Sequence, residues 1–210
     1  MPNALKQIAQ HKLIPVVVID AEEYALPLAD ALVAGGLPIA EITFRTDAAE
    51  GAIRALAKRG DLLVGAGTVL TLEQADRAID AGAAFVVAPG TNRQVVEHCM
   101  ERNIPITPGV ATPTDIELAL SLGLDTLKFF PAQALGGVPM LKAISGPYRQ
   151  VRFVPTGGIT LDNMLDYLAM PHVLACGGSW LAARDKLANN QFDTIQHTVA
   201  AAVKRLATHS

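Results

Sequence analysis

Short, nearly unbroken apolar runs recur along the chain, separated by longer stretches in which apolar residues return every three or four positions. The runs are LIPVVVI from Leu13, PIAEITF from Pro38, LLVGAG from Leu62, AFVVAPG from Ala84, IPITPG from Ile104, DTLKFFP from Asp125, RFVPTGG from Arg152 and HVLACGG from His172. They lack the polar alternation of a half-exposed strand and read as strands of a parallel sheet covered on both faces. The stretches between them have helical spacing. In Glu22–Gly35, residues Ala25, Leu28, Ala29, Leu32 and Val33 fall on one stripe, and Gly35-Gly36 follows as a helix stop. Thr71, Thr91, Thr112 and Thr160 stand where N-caps are needed, and Pro113 suits a first helical position. A helix opening at Thr160 would carry Asp162 in its first turn.

Eight strand–helix units predict an α/β fold, a closed (β/α)8 TIM barrel, with the first eleven residues as an extra N-terminal helix covering its bottom. Nothing resembling a linker, charge block or repeat divides the chain, so residues 1–210 read as a single (β/α)8 barrel domain. An open doubly wound sheet is the structural competitor. The even spacing, and the lack of a GxGxxG after the first run, count against it.

Composition narrows the function classes. A net charge of -3 gives no basic stripe for nucleic acid. The mean hydropathy is positive, yet no window holds the roughly 18 consecutive apolar residues of a membrane span. The opening residues lack the basic, apolar and small-residue order of a signal peptide. Cys99 and Cys176 fit neither a disulfide framework nor a zinc site, so a cytoplasmic protein is expected, with Cys176 a buried and inert thiol. His11, His98, His172, His197 and His209 are scattered without ligand spacing, and no metal is expected.

In a barrel of this type, chemistry gathers at the carboxyl ends of the strands. Polar groups and glycines that break the apolar pattern there are Glu41, Thr43 and Arg45; Gly65, Gly67 and Thr68; Pro89; Thr107, Pro108 and Gly109; Lys128; Thr156, Gly157 and Gly158; and Gly177, Gly178 and Ser179. Lys128 is the sharpest. Alternation turns it into the barrel if Leu127 and Phe129 face outward. A desolvated amine relieved of its proton can attack a carbonyl carbon, whereas a structural lysine would pair with a carboxylate or reach the rim. Glu41 shares an alternation class with Ile39, Thr43 and Arg45 and could serve as proton shuttle, as neutralising partner, or as both. Arg45 could grip a carboxylate with two hydrogen bonds, or pair with Asp47 or Glu50 at the surface. The glycines after the seventh and eighth runs lie where barrels bind phosphate, with Ser179–Leu187 a candidate helix behind them and Trp180 a packing anchor beneath it.

EITFRT (Glu41–Thr46), VGAGTVL (Val64–Leu70), KFFPA (Lys128–Ala132), the GGV, GP and VRFVPTGGI runs (Gly136–Ile159) and GGSW (Gly177–Trp180) together resemble the bacterial 2-keto-3-deoxy-6-phosphogluconate (KDPG) aldolases. Bifunctional members of that family also cleave 4-hydroxy-2-oxoglutarate. The match runs nearly end to end, in the same order. The resemblance implies that Lys128 forms an imine with the keto carbon of the substrate or pyruvate, and that Glu41 is the general acid/base, acting through a water. It implies that Arg45 and Thr68 hold the pyruvyl carboxylate, that Pro89 shapes that wall, and that Phe130 packs beside the imine. Thr156, Gly157, Gly158, Gly178 and Ser179 would line the distal end, where the substrate phosphate sits. A small-molecule substrate, no cofactor beyond the covalent imine, and a homotrimer are implied as well. Phe44 departs from the aliphatic residue expected at its position and should face away from the pocket. The same chemistry could act on the 6-phosphogalactonate epimer. A sugar-phosphate isomerase or synthase would share the glycine loops but needs no imine, and a non-catalytic binding barrel has no use for a buried lysine beside a glutamate.

Overall fold

The computed structural model describes residues 3–208. Each of the eight apolar runs contains strand, and all the strand pairings are parallel. The strands are β1 (Leu13–Val17), β2 (Ile39–Thr43), β3 (Leu63–Gly67), β4 (Val86–Val87), β5 (Ile106–Thr107), β6 (Gly109–Val110), β7 (Thr126–Phe129), β8 (Arg152–Pro155) and β9 (Cys176–Gly178). The helices are α1 (Asn3–His11), α2 (Ala25–Ala34), α3 (Ala49–Arg59), α4 (Leu72–Asp80), α5 (Arg93–Glu101), α6 (Pro113–Ser121), α7 (Gly137–Ser145), α8 (Met164–Leu168), α9 (Arg184–Ala188) and α10 (Phe192–Ala207).

One eight-stranded sheet was the expectation; the strands instead form two parallel sheets. Six are ordered β5-β4-β3-β2-β1-β9 and three β6-β7-β8. The fifth run is split at Pro108, which has no N–H to give to a ladder. Thr107 still serves the first sheet, its carbonyl accepting from the Ala88 amide at 3.3 Å, while the next carbonyl, that of Pro108, accepts from Lys128 at 2.8 Å. A single run is thereby handed from one neighbour to the other. At the opposite seam, β8 and the segment leading into β9 touch through isolated parallel bridges, Phe153 with Val173 and Thr156 with Gly177. There the Phe153 amide donates to His172 O at 2.7 Å, and the Leu174 amide donates to Phe153 O at 2.9 Å.

Local signals place the helices. Thr71 caps α4, its hydroxyl accepting from the Gln74 amide. Thr112 and Asp115 form a reciprocal capping box on α6, with Pro113 in the first turn. Two expected caps are corrected. The Thr91 hydroxyl donates to Gly109 O at 3.0 Å, and Asn92, one residue on, caps α5. Thr160 opens a turn closed by Asn163, whose Oδ1 accepts from the Thr160 amide at 2.8 Å, so α8 begins only at Met164 and Asp162 precedes it. The stretch expected as one helix from Ser179 breaks at extended Ala183, leaving a 3-10 turn (Ser179–Ala182) followed by α9.

The helix expected at the N-terminus is present as α1. It buries Ala4, Leu5 and Ile8, and Ile8 reaches Ile14, Phe85, Val87 and Val154 around a small void that Glu41 and Lys128 also line. Full burial of such a side chain stabilises by about 1.5–3 kcal/mol. Ile8→Ala should therefore lower stability by about 2–5 kcal/mol, read as a lower urea midpoint at unchanged slope.

Candidate active site

Strands β2 and β7 bring the two central side chains together across the interior. Glu41 is 2% exposed and Lys128 4%, and Lys128 Nζ donates to Glu41 Oε1 at 3.4 Å. An ammonium and a carboxylate so far from water need each other, since removing either strands a buried charge at a cost of about 3–5 kcal/mol. Lys128 Nζ also lies 5.2 Å from the centroid of the Phe130 ring, close enough for attraction to the aromatic face when the amine is charged.

The glycines of VGAG create the room for this pair. Strand pairing sets Glu41 opposite Gly65 and Thr43 opposite Gly67. A Cβ on Gly67 would fall 2.2 Å from Glu41 Oε1, and one on Gly65 would fall 2.3 Å from the Phe85 ring. Gly67 thus admits the carboxylate and Gly65 the aromatic floor beneath it.

At the mouth, Arg45 Nε donates to Thr68 Oγ1 at 3.3 Å. Thr68 holds φ at +57°, a conformation costing a β-branched residue on the order of 1–3 kcal/mol. That strain sits at the contact with Arg45. The alternative surface pairing of Arg45 with Glu50 is not formed. Glu50 is taken by Arg77 at 2.7 Å and Arg54 at 2.8 Å, and the hydrogen bond from Arg77 is the main cause holding its carboxyl below the usual range. Phe44 does face away: its ring lies under Arg77, 5.6 Å from the guanidinium carbon.

A cavity of about 210 Å³ opens beside the pair, lined by Arg45, Phe130, Thr156, Gly157, Gly158, Gly178 and Ser179, all expected from the sequence. Val16, Ile159 and Gly177 complete it. Thr156 lines both this cavity and the void that Glu41 and Lys128 line, so the two lie against one shared residue. Thr68 meets the cavity through Arg45, and Pro89 packs against Gly109 outside its lining. Thr107, 4% exposed, shares the void with Lys128 and Glu41; its signal was its place at the end of the fifth run. Val16 and Ile159 carried no such signal, because apolar residues at a strand end look like core.

A larger cleft of about 490 Å³ lies between Glu22 and α3, lined by Asp47, Glu50, Gly51, Arg54, Ala55 and Lys58. Its charges are surface ones, and it holds neither Lys128 nor Glu41. Chemistry outweighs size in choosing between them. Among the described residues no three His, Cys, Asp or Glu side chains gather as a metal site would require, and no helix is long and apolar enough to cross a membrane. His209 lies outside the described residues. Trp180 packs its indole against Gly178.

The KDPG and KHG aldolase family model matches residues 5–198. The chain belongs to this family. It is 50% identical over 196 residues to the 2-dehydro-3-deoxy-phosphogluconate aldolase of Haemophilus influenzae, covering 93% of this chain and 92% of that protein. It is 46% identical to the KHG/KDPG aldolase of Escherichia coli K12, covering 91% of each. The solved KDPG aldolase of Legionella pneumophila, with pyruvate captured at low pH as a covalent carbinolamine intermediate, superposes with a TM-score of 0.91 at 42% identity, covering 95% of this chain and 98% of that one. The enzyme of Zymomonas mobilis ZM4, solved with 3-phosphoglycerate, gives 0.88 at 40%, covering 96% and 95%.

In this family member both thiols are buried. Burial pushes Cys99 up to about 11, with Asp76 adding to the rise, and pushes Cys176 further still. Neither should react with a thiol reagent in the native protein at neutral pH. An unfolded thiol ionises near 8.5, so the stability that the Cys99 thiol contributes is whole below that pH and is lost as pH climbs through about 11. Thermal melts across that window, together with thiol titration of native and unfolded chains, check both statements. Gly67→Ala should push Glu41 off Lys128. Its stability should fall by about 3–5 kcal/mol, the cost of separating a buried ion pair, read as a lower urea midpoint while circular dichroism in water is unchanged.

Proposed function

We propose that this chain is a class I aldolase that reversibly cleaves KDPG into pyruvate and D-glyceraldehyde 3-phosphate through an imine on Lys128. The observation that carries the reading is the buried Lys128–Glu41 contact of 3.4 Å, whose void shares Thr156 with the cavity bearing Arg45 and the glycine loops. The covalent pyruvate carbinolamine of the Legionella pneumophila enzyme, 42% identical, supports it.

In this reaction Lys128 first passes a proton to Glu41, and the free amine then adds to the C2 carbonyl and forms a carbinolamine. Glu41 supplies the proton with which the hydroxyl leaves as water. The resulting iminium withdraws electrons from the C3–C4 bond. Glu41 takes the C4 hydroxyl proton as that bond breaks, releasing the aldehyde and leaving an enamine. Protonation at C3 and addition of water then free pyruvate and the lysine. The positive imine is the electron sink, so the chemistry runs without a metal or other cofactor. Arg45 and Thr68 hold the pyruvyl carboxylate, with Pro89 behind that wall against Gly109; Phe130 flanks the imine, and Thr156, Gly157, Gly158, Gly178 and Ser179 receive the distal phosphate.

The name of the Escherichia coli relative, KHG/KDPG aldolase, also supports cleavage of 4-hydroxy-2-oxoglutarate to pyruvate and glyoxylate. We read residues 1–210 as one barrel domain, the two sheets closing into a ring through the shared fifth run and the β8–β9 bridges. A cytoplasmic homotrimer is the proposed form. Leu26, Leu70, Leu72 and Met100 expose apolar surface that such an association could cover.

Borohydride reduction in the presence of pyruvate, followed by peptide mass spectrometry, tests the assignment. A pyruvyl adduct on Lys128 is expected, and its absence refutes the imine. Lys128→Met should retain the fold by circular dichroism and lose activity by several orders of magnitude. Turnover of KDPG, its galactonate epimer and 4-hydroxy-2-oxoglutarate measures the substrate range.

A further inference from the structure

The geometry points to Asn163 as a positioning residue that aims the amides of the 158–159 loop into the distal end of the cavity. This rests on the reading above that the distal end takes a phosphate.

Among the described residues, Arg45 is the one charged side chain lining that cavity. An anion at its far end must therefore be met by hydroxyls and backbone N–H groups. Which way those N–H groups point is set by what holds the carbonyls of the same peptides, because in a planar trans unit the two are antiparallel. The Gly157 carbonyl accepts from the Gln133 amide at 3.0 Å, which turns the Gly158 N–H the opposite way. The Gly158 carbonyl accepts from Asn163 Nδ2 at 3.0 Å, which does the same for the Ile159 N–H. Gly157, Gly158 and Ile159 all line the cavity, and the two glycines hold φ at +97° and +77°. Successive backbone N–H groups in a turn of this kind form an anion-binding concavity where they face one way.

The two grips differ in kind. The one on Gly157 comes from backbone and survives any side-chain change. The one on Gly158 depends on a single amide side chain, and the same side chain closes the turn by accepting from the Thr160 amide at 2.8 Å. Without Asn163 the 158–159 peptide loses the contact that orients it, while Lys128, Glu41 and Arg45 keep all of theirs.

The test is steady-state kinetics in the condensation direction for Asn163→Ala and Asn163→Leu, with D-glyceraldehyde 3-phosphate and with glyoxylate as acceptors. Inhibition by inorganic phosphate is measured alongside. The KM for the phosphorylated aldehyde and the inhibition constant for phosphate should each rise about tenfold, the effect of losing one hydrogen bond to a charged group. The kcat, the KM for pyruvate and the rate with glyoxylate should stay near wild type. Unchanged discrimination between the acceptors in either folded variant overturns the inference, and so does an equal loss on both acceptors. A wild-type enzyme with no preference for the phosphorylated aldehyde and no inhibition by phosphate refutes the distal-phosphate reading itself. An absent borohydride adduct bears only on Lys128.

Discussion

Taking one ammonium and one carboxylate out of water costs several kcal/mol per ion, and their attraction offsets this only where geometry and surroundings are fixed. The Lys128–Glu41 contact imposes that condition on its whole neighbourhood. Glu41 can lie where it does because Gly67 has no side chain, and Phe85 can fill the space below because Gly65 has none. The floor is completed by Ile8, so a helix outside the strand–helix alternation becomes part of the site. In the proposed reaction the same contact is useful in a second way: it holds the carboxylate within reach of the nitrogen that adds to the carbonyl.

Along the cleft, charge is handled in two ways. Near the mouth a guanidinium is steadied by Thr68, whose backbone is held in the left-handed region. At the distal end no cation is found among the described residues, and polarity comes from peptides, Thr156 and Ser179. A guanidinium suits a flat carboxylate, which it can meet with two parallel hydrogen bonds. Loop amides suit a tetrahedral anion approached from several directions. Such a division fits one substrate carrying both groups.

Much of this was legible in the sequence. Eight apolar runs gave eight strand regions, and KFFPA announced its lysine because a cation in such a run has few ordinary explanations. The glycine pairs after the seventh and eighth runs lie on one cavity, as their positions indicated. The split of the fifth run was open to reading, since Pro108 stands inside it, but the handover between two neighbours depends on tertiary pairing. Thr91 and Asn92 are both good caps, and spacing alone does not choose between adjacent ones. Thr160 was misread because the Asn163 side chain closes a turn onto the Thr160 amide, and the regular helix starts only at Met164. Val16 and Ile159 were invisible as cavity walls because they are ordinary core residues by type.

The apolar floor beneath Lys128 has a consequence for isotope bookkeeping. Ile8, Ile14 and Phe85 line the void beside the pair with apolar surface, so in the proposed reaction a proton would pass between Glu41 and bulk solvent by way of the cavity that the substrate fills. While that molecule is in place, a hydrogen lifted from it is confined with a small local pool. Under the proposed mechanism a label removed from carbon would then be returned to carbon before it washes out.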